Sequence, residues 1–352
     1  MRIMTNPMRK NGLPEGVLQD TPYPSLDVAR PNELLARCPM HDPTPLHEIT
    51  AMAQDHGVSS IWIKDERARL NLGSFKALGA AYVIADLANA RSSPISELSM
   101  TGTTFVTASA GNHGLSLARG AEVFGAKAVI YIADTVMDSF ATRLQETGAT
   151  VVREGANYEA SMQAARDAAT QKGWTLLSDS SWEGYCDLPH RVMEGYLTLA
   201  DEVLQQIDVP PTHIFLQAGV GGMASSVAAY FRKVWGDGPV ITVVEPIAAP
   251  ALFESILAKA PVTTQGPASK MGRLDCKEPS FIALKGLAKD ADHFMTISDE
   301  DASDAQDQLH AQGYATSASG AAGVAGFLSA KQSLGISAES RILLIISEAA
   351  ET

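Results

Sequence analysis

A repeated alternation constrains this chain more than any other feature. From about residue 58, short unbroken apolar runs are each followed by a segment of helical spacing. "SSIWIKD" reads as a strand and 74–90 as a helix rich in Ala and Leu. "TTFVTASA" precedes the helical "NHGLSLARGAEVFG", and "AKAVIYIA" precedes "DSFATRLQETG". "ATVVREG" leads into "NYEASMQAARDAATQKG", where Asn157 is placed to cap a helix. "HIFLQAG", "PVITVVEP" and "RILLIISEA" are three further strands. Such runs suit strands buried on both faces of a parallel sheet. The alternation predicts an α/β fold with helices on both faces. Residues 95–180 hold enough units for a small sheet, and the strands near 60, 214, 241 and 342 form a second one. The expectation is two open, mostly parallel twisted sheets with a cleft between them. Residues 1–90 plus 205–352 would make the large domain, and 91–204 a smaller α/β domain inserted in it. The Pro-rich lead at 13–31 is expected to run extended and wrap the body.

Composition narrows the function. The 352 residues are enough for two domains. Aromatics are only 6% against 45% apolar residues overall, so the core must be mostly aliphatic. A net charge of −13 argues against nucleic acid and membrane surfaces, which want clustered Lys and Arg. Cys38, Cys186 and Cys276 are odd in number and far apart, which gives no disulfide framework and points to a reducing compartment. No signal-peptide core and no bilayer-length apolar run occurs, so a cytoplasmic enzyme of small molecules is expected. His113 and His190 are isolated from any metal-ligand spacing. Ser116 and Ser225 sit in no nucleophile elbow. The acidic run at 298–308 reads as a helix start capped by Ser298.

In parallel sheets, ligands bind beyond the C-terminal strand ends. Four loops lie there. Thr107–Gly114, "TASAGNHG", turns from a strand into a helix near Asn112. It is either an ordinary capping turn or an anion site built on free helix N–H groups. Gln217–Ser226 carries Gly219, Gly221 and Gly222, a cradle of backbone amides for a phosphate. Read with Ala224, and with Glu245 ending the next strand, it also admits a dinucleotide site. Ser178–Pro189 is either a surface loop packed by Trp182 or a source of a cleft acid, Asp179 or Glu183. Ser347 closes the last strand, as a turn residue or a ligand partner. Beside these, "NLGSFKALGA" places Lys76 among small and apolar residues, with Ser74 as an N-cap. A snorkelling lysine and a Schiff-base lysine both fit that segment.

Taken in order, "GSFKALGA", "SAGNHG", "AGVGGM" and a serine at the last strand resemble the fold-type II pyridoxal-phosphate enzymes, from about residue 40 onward. Within that group the chain is similar to the diaminopropionate ammonia-lyases. "DSSWEGYCDLPHRVMEGYLTLADEV", "LDCKEPS", "SASGAAG" and "SEAAET" resemble that family's blocks. The resemblance implies that Lys76 carries pyridoxal 5'-phosphate. Asn112 lies beside its 3'-oxygen, and Gly219, Val220, Gly221, Gly222 and Met223 hold its phosphate. Ser347 partners the pyridine nitrogen, with Thr352 as a second candidate. Ser74, Ser109, Ala110, Gly111 and His113 face the amino-acid substrate, and a homodimer is implied.

The implied chemistry is β-elimination to a 2-oxo acid and ammonia. Lys76, its pKa lowered by neighbours, would take the α-proton, and Asp179 would protonate the leaving group. Two departures bear on the substrate. The family's "D-G-N-H-G" is "AGNHG" here, so Ala110 replaces an acid associated with D-amino acids, and the loop takes the threonine-dehydratase form. "S-G-E-S-G" and "T-E-G-D-T" are also altered. The expected substrate is therefore a small L-amino acid resembling 2,3-diaminopropionate. Serine/threonine dehydration and a β-replacement synthase of the cysteine-synthase kind are the alternatives. A binding protein and a nicotinamide enzyme stand further off.

Overall fold

The computed structural model describes residues 1–92 and 94–350. Its strands are β1 (Arg2–Thr5), β2 (Leu46–Glu48), β3 (Ser60–Asp65), β4 (Thr104–Ala108), β5 (Lys127–Ile132), β6 (Thr150–Arg153), β7 (Thr175–Leu176), β8 (His213–Gln217), β9 (Val240–Pro246), β10 (His293–Ile297) and β11 (Arg341–Ile346). They form a seven-stranded sheet in the order β1-β10-β9-β8-β11-β3-β2 and a four-stranded sheet in the order β6-β5-β4-β7. The five central strands of the large sheet and all four of the small one run parallel. Only the short edges β1 and β2 are antiparallel.

The period of two explains the layers. Leu343 and Ile345 of β11 face one core, while Ile342, Leu344 and Ile346 face the other. The first core is continuous with the inner face of the small sheet, through Phe105, Ile130 and Ile132. The second lies under the helix Ala318–Ala330, with Phe215 and Phe327 in it. The outer face of the small sheet, with Val106 and Val129, packs on the helix Tyr158–Lys172. Asn157 caps that helix, accepting from the Ala160 N–H at 2.9 Å. Ser298 likewise opens a capping box over 298–301.

The strands near 60, 214, 241 and 342 share the large sheet, as their apolar runs predict. β1, β2, β7 and β10 give no periodic signal of their own. The helix expected at 74–90 is broken. Ser74 caps a short 3-10 turn, Phe75–Leu78, and the helix proper is Ala80–Arg91. Gly79 makes the break: its backbone is non-helical, and a Cβ there would stand 2.9 Å from the Tyr196 ring.

Just upstream, Leu70 and Asn71 are held at left-handed φ of 49° and 57°. A buried ionic cluster fixes this bend. Arg69 donates to Glu66 and to Glu202 Oε1, the latter at 2.6 Å, and Lys64 donates to Glu202 Oε2 at 2.6 Å. Lys64 Nζ also reaches the Thr44 carbonyl at 2.6 Å. Burial of these charges is tolerable because every one is paired and hydrogen-bonded. Lys64 thus sits near the end of β3, after its apolar run Ile61–Ile63. The lead segment crosses the body, with Ser25 donating to Glu194 and Lys285 donating to the Leu18 carbonyl. It is not extended throughout: residues 15–20 form turns, with Leu18 at φ +52°, and the helix Ala29–Leu35 begins within it.

Candidate active site

The C-terminal ends of β4, β8 and β11 and the loop after β7 open into one cleft of about 500 Å³. Lys76 enters it because its turn is stitched to the end of β11. Ser74 bridges Glu348, the Phe75 N–H donates to the Ser347 carbonyl at 3.1 Å, and the Ala349 N–H donates to the Gly73 carbonyl at 2.9 Å. Ser74 itself is buried; its hydroxyl accepts from the Lys76 N–H at 3.2 Å, so it acts as a cap and does not line the cleft.

Lys76 Nζ donates to Asp179 Oδ2. Its side chain lies near the rings of Phe75 and Tyr196, at 5.3 and 5.8 Å. The lowered lysine pKa expected of Lys76 when it acts as base concerns the amine freed during the reaction; in the cofactor-free chain the pair acts the other way. Burial alone would depress Lys76, but the Asp179 carboxylate outweighs it and holds the ammonium well above the usual lysine range. For Asp179 burial pushes up, and the Lys76 charge and hydrogen bond bring the net well below the usual carboxylate range.

Asp179 is carried by a loop with both of the properties its sequence allowed. Trp182 stacks on Tyr185 at 4.3 Å and lies under Arg166, so the loop is packed, while its Asp179 faces the cleft. Glu183 is exposed and lines nothing.

Ser109–Asn112 forms the turn before the helix Asn112–Val123. Ser109 Oγ accepts from the Gly111 N–H at 3.3 Å. Gly114 has no room for a Cβ, which would meet the Ser109 carbonyl at 2.3 Å. Ala110 lines the cleft and leaves no carboxylate in this loop. His113 lines it too, but its Nε2 is taken by the Leu177 carbonyl at 2.8 Å, and burial holds the ring neutral by lowering its pKa.

Across the cleft, Gly219–Met223 turns into the helix Gly222–Trp235. Gly221 takes φ +95°, and a Cβ there would stand 2.9 Å from Leu252. A Cβ on Gly219 would meet Cys276 Sγ at 3.0 Å. The loop therefore presents bare backbone and the free N–H groups of a long helix. Glu245, the acid that a dinucleotide site would need, is fully buried. Its oxygens accept the N–H groups of Leu252 and Phe253 at 2.8 and 2.7 Å, so it caps a helix instead.

Four lining residues were given no role by the sequence reading. Glu348 accepts from Asn112 Nδ2 at 2.5 Å and from the Ser317 hydroxyl, joining "SASGAAG" to "SEAAET" at the cleft wall. Arg273 and Cys276 come from the loop before the helix Phe281–Asp290. Burial pushes the Cys276 thiol up to about 12. Gln217 ends β8 with its Oε1 buried and unpartnered. Ser347 lies in the wall; Thr352 lies outside the described residues. Among the described residues no His, Cys, Asp and Glu cluster could hold a metal ion, and no helix is long and apolar enough to cross a membrane.

An amine at the floor, a bare-backbone anion cradle on one wall, and an amide and a hydroxyl on the others fit pyridoxal phosphate. Residues 38–348 match the family described as pyridoxal-phosphate dependent enzyme. The chain is 36% identical over 292 residues to the diaminopropionate ammonia-lyase of Salmonella typhimurium, covering 76% of this chain and 72% of that one. The Escherichia coli K12 counterpart is 35% identical over 271 residues, covering 73% and 68%. A crystal structure of the E. coli enzyme with an aminoacrylate-PLP azomethine reaction intermediate superposes with a TM-score of 0.86 at 29% identity, covering 99% of this chain and 93% of that one.

Proposed function

The chain belongs to the family of pyridoxal-phosphate dependent enzymes, and from that premise we propose that it is an ammonia-lyase for a small L-amino acid of the 2,3-diaminopropionate kind. The observation that carries the reading is the Lys76–Asp179 pair at the floor of the cleft, between the Ser109–Asn112 turn and the glycine loop. In the reaction Cα–H and the Cβ–leaving-group bond break, ammonia departs, and water hydrolyses the released enamine to a 2-oxo acid and a further ammonia.

Lys76 would hold the cofactor, with Gly219–Met223 on its phosphate and Asn112 and Ser347 at its ring. The cofactor, when bound, supplies the sink for the electrons of the α-carbon. The turn Ser109–Gly111 would face the substrate carboxylate; the N–H groups of Ser109 and Gly111 already donate to the Tyr131 carbonyl and to Ser109 Oγ. Lys76 Nζ takes the α-proton. Asp179 gives the leaving group its proton, and the balance of forces on it makes this possible. Burial is the largest influence on Asp179 and favours the neutral acid; the Lys76 charge is the largest of the influences that oppose it, followed by His113 and hydrogen bonds. Loss of the Nζ charge therefore moves Asp179 toward holding a proton. Ala110 leaves the opposite face without an acid, which supports L over D stereochemistry. The same residue favours, as a second reading, dehydration of a 3-hydroxy amino acid.

The test is purified enzyme supplied with L-2,3-diaminopropionate, L-serine and L-threonine. Visible absorbance of the bound cofactor and 2-oxo acid release are expected. Lys76→Ala should lose the absorbance and slow release by about 10³-fold or more. Absorbance without release from any of the three would overturn the lyase reading, and an active Lys76→Ala the role of Lys76.

We infer further that residues 91–204 form the smaller unit that closes over the cleft, and that two copies associate. An apolar depression lined by Leu34, Leu35, Ile95 and Phe124 supports the dimer, since Met40 and Val123 on it are 54% and 56% exposed.

A further inference from the structure

Beside Lys76 lies a tyrosine whose hydroxyl the fold does not use. Tyr196 follows the helix Asp187–Gly195 and is 1% exposed. Its ring meets Phe75 edge-on, with centroids 5.0 Å apart at 66°. It spans from the Lys76 turn to the glycine loop: a Cβ on Gly79 would stand 2.9 Å from its hydroxyl oxygen, and one on Gly222 3.6 Å from Cε2. Lys76 Nζ is 5.8 Å from the ring centre. Among the described residues the Tyr196 hydroxyl forms no hydrogen bond. A buried phenol without a partner costs free energy. Phenylalanine would fill the same space without that cost, so packing does not account for the hydroxyl.

The surroundings of Lys76 point to what does. Burial acts against its ammonium charge; Asp179 is the largest of the groups that support the charge, and Tyr196 comes next. Cys276 follows, its thiol kept protonated by burial, and His113 is held neutral. Burial also pushes the Tyr196 phenol up to about 12, with Lys76 opposing, so the hydroxyl keeps its proton near neutrality. In the reaction proposed above Asp179 turns to the leaving group, and its hold on Nζ ends there. Of the groups that act on Lys76, Tyr196 is then the one with an oxygen left to accept an Nζ–H. An amine that donates one N–H to that oxygen keeps its lone pair for the α-proton. The ammonium formed next donates there more strongly, which raises the basicity of the freed amine.

We propose that Tyr196 is a positioning residue: its hydroxyl oxygen accepts a hydrogen bond from Lys76 Nζ when Asp179 lets go, and so aims the amine at the α-proton. The proposal rests on the lyase reading for the reaction, but the contact itself can be tested without turnover. Full-length protein freed of cofactor is treated with acetic anhydride at pH 9, and acetylation of Lys76 is followed by mass spectrometry. Only the neutral amine reacts, so the rate reports how firmly the ammonium is held. With Asp179 present, Tyr196→Phe should leave the rate nearly unchanged. In the Asp179→Ala background the same substitution should speed acetylation about 10-fold, the worth of a hydrogen bond to a charged group. A mere packing defect would act equally in both backgrounds. Equal effects, or no effect in Asp179→Ala, overturn the proposal. The second readout is the holoenzyme with whichever substrate releases 2-oxo acid. The acid limb of its kcat profile, where the amine is protonated, should move about one unit to lower pH in Tyr196→Phe. A limb that stays in place overturns the positioning role. The acetylation pattern without 2-oxo acid release from any substrate leaves the contact standing and overturns the lyase reading instead.

Discussion

Glu245 shows how one buried side chain can tie stability to pH. It is fully buried, and its oxygens accept the N–H groups of Leu252 and Phe253 at 2.8 and 2.7 Å. Burial pushes its pKa up to about 8, the two N–H groups opposing. The folded chain therefore binds a proton that the unfolded chain, at an ordinary carboxylate pKa of about 4.5, has released. Between those two values the native state holds more protons than the unfolded one, so stability falls as pH rises from about 4.5 to 8. Glu245→Gln removes the titration but also weakens one cap. Denaturant melts of both proteins at pH 5 and pH 8.5 should show the variant gaining on the wild type by about 2 kcal/mol or more with rising pH. A difference that stays constant with pH would refute the argument. Legibility at this scale follows chemical context. The glycine loop and the loop of Asp179 were legible as strand-end loops; Lys76 was not legible from its own segment, and its reading came from the order of the motifs around it. Arg273 and Glu348 were not legible, because contacts with residues 111 and 112, far away in the sequence, place them.

Among the elements, the closest approach governs where Lys76 stands. The helix Asp187–Gly195 abuts the turn Phe75–Leu78 at Gly195, where a Cβ would lie 1.9 Å from the Leu78 carbonyl oxygen. That neighbour is backbone and cannot rotate aside. Gly195→Ala should cost about 3 kcal/mol or more, at the upper end for overpacking, and displace the turn two residues from Lys76. Chemical denaturation gives the first quantity, and the weakening of cofactor absorbance reports the second. Unchanged stability would mean that the helix slides freely along the turn. The helices themselves were legible from caps and spacing, as at Asn157 and Ser298. The shortest edge strands were not: β2 and β7 have three and two residues, too few to establish a period. The break at Gly79 was hidden because it answers to Tyr196, an aromatic ring from a distant helix turn.

For the molecule as a whole, the two-sheet plan was legible because buried parallel strands announce themselves as continuous apolar runs. Assembly is the property that composition leaves open. If the depression around Met40 and Val123 is covered by a second copy, the protein should sediment at about twice its chain mass of 37.3 kDa, and Val123→Glu should return it to monomer. A wild-type monomer at micromolar concentration would refute the dimer.

The pairing of β1 with β10 has a temporal consequence. Arg2 lies opposite Thr296 in that ladder, 294 residues away. During synthesis at about 5–20 residues per second, the first edge strand leaves the ribosome roughly 15–60 s before its partner. The small sheet, contained within residues 104–176, can close during that wait. Translation can thus deliver the small sheet before the cleft, because β11, which anchors the Lys76 turn, is made long after that turn.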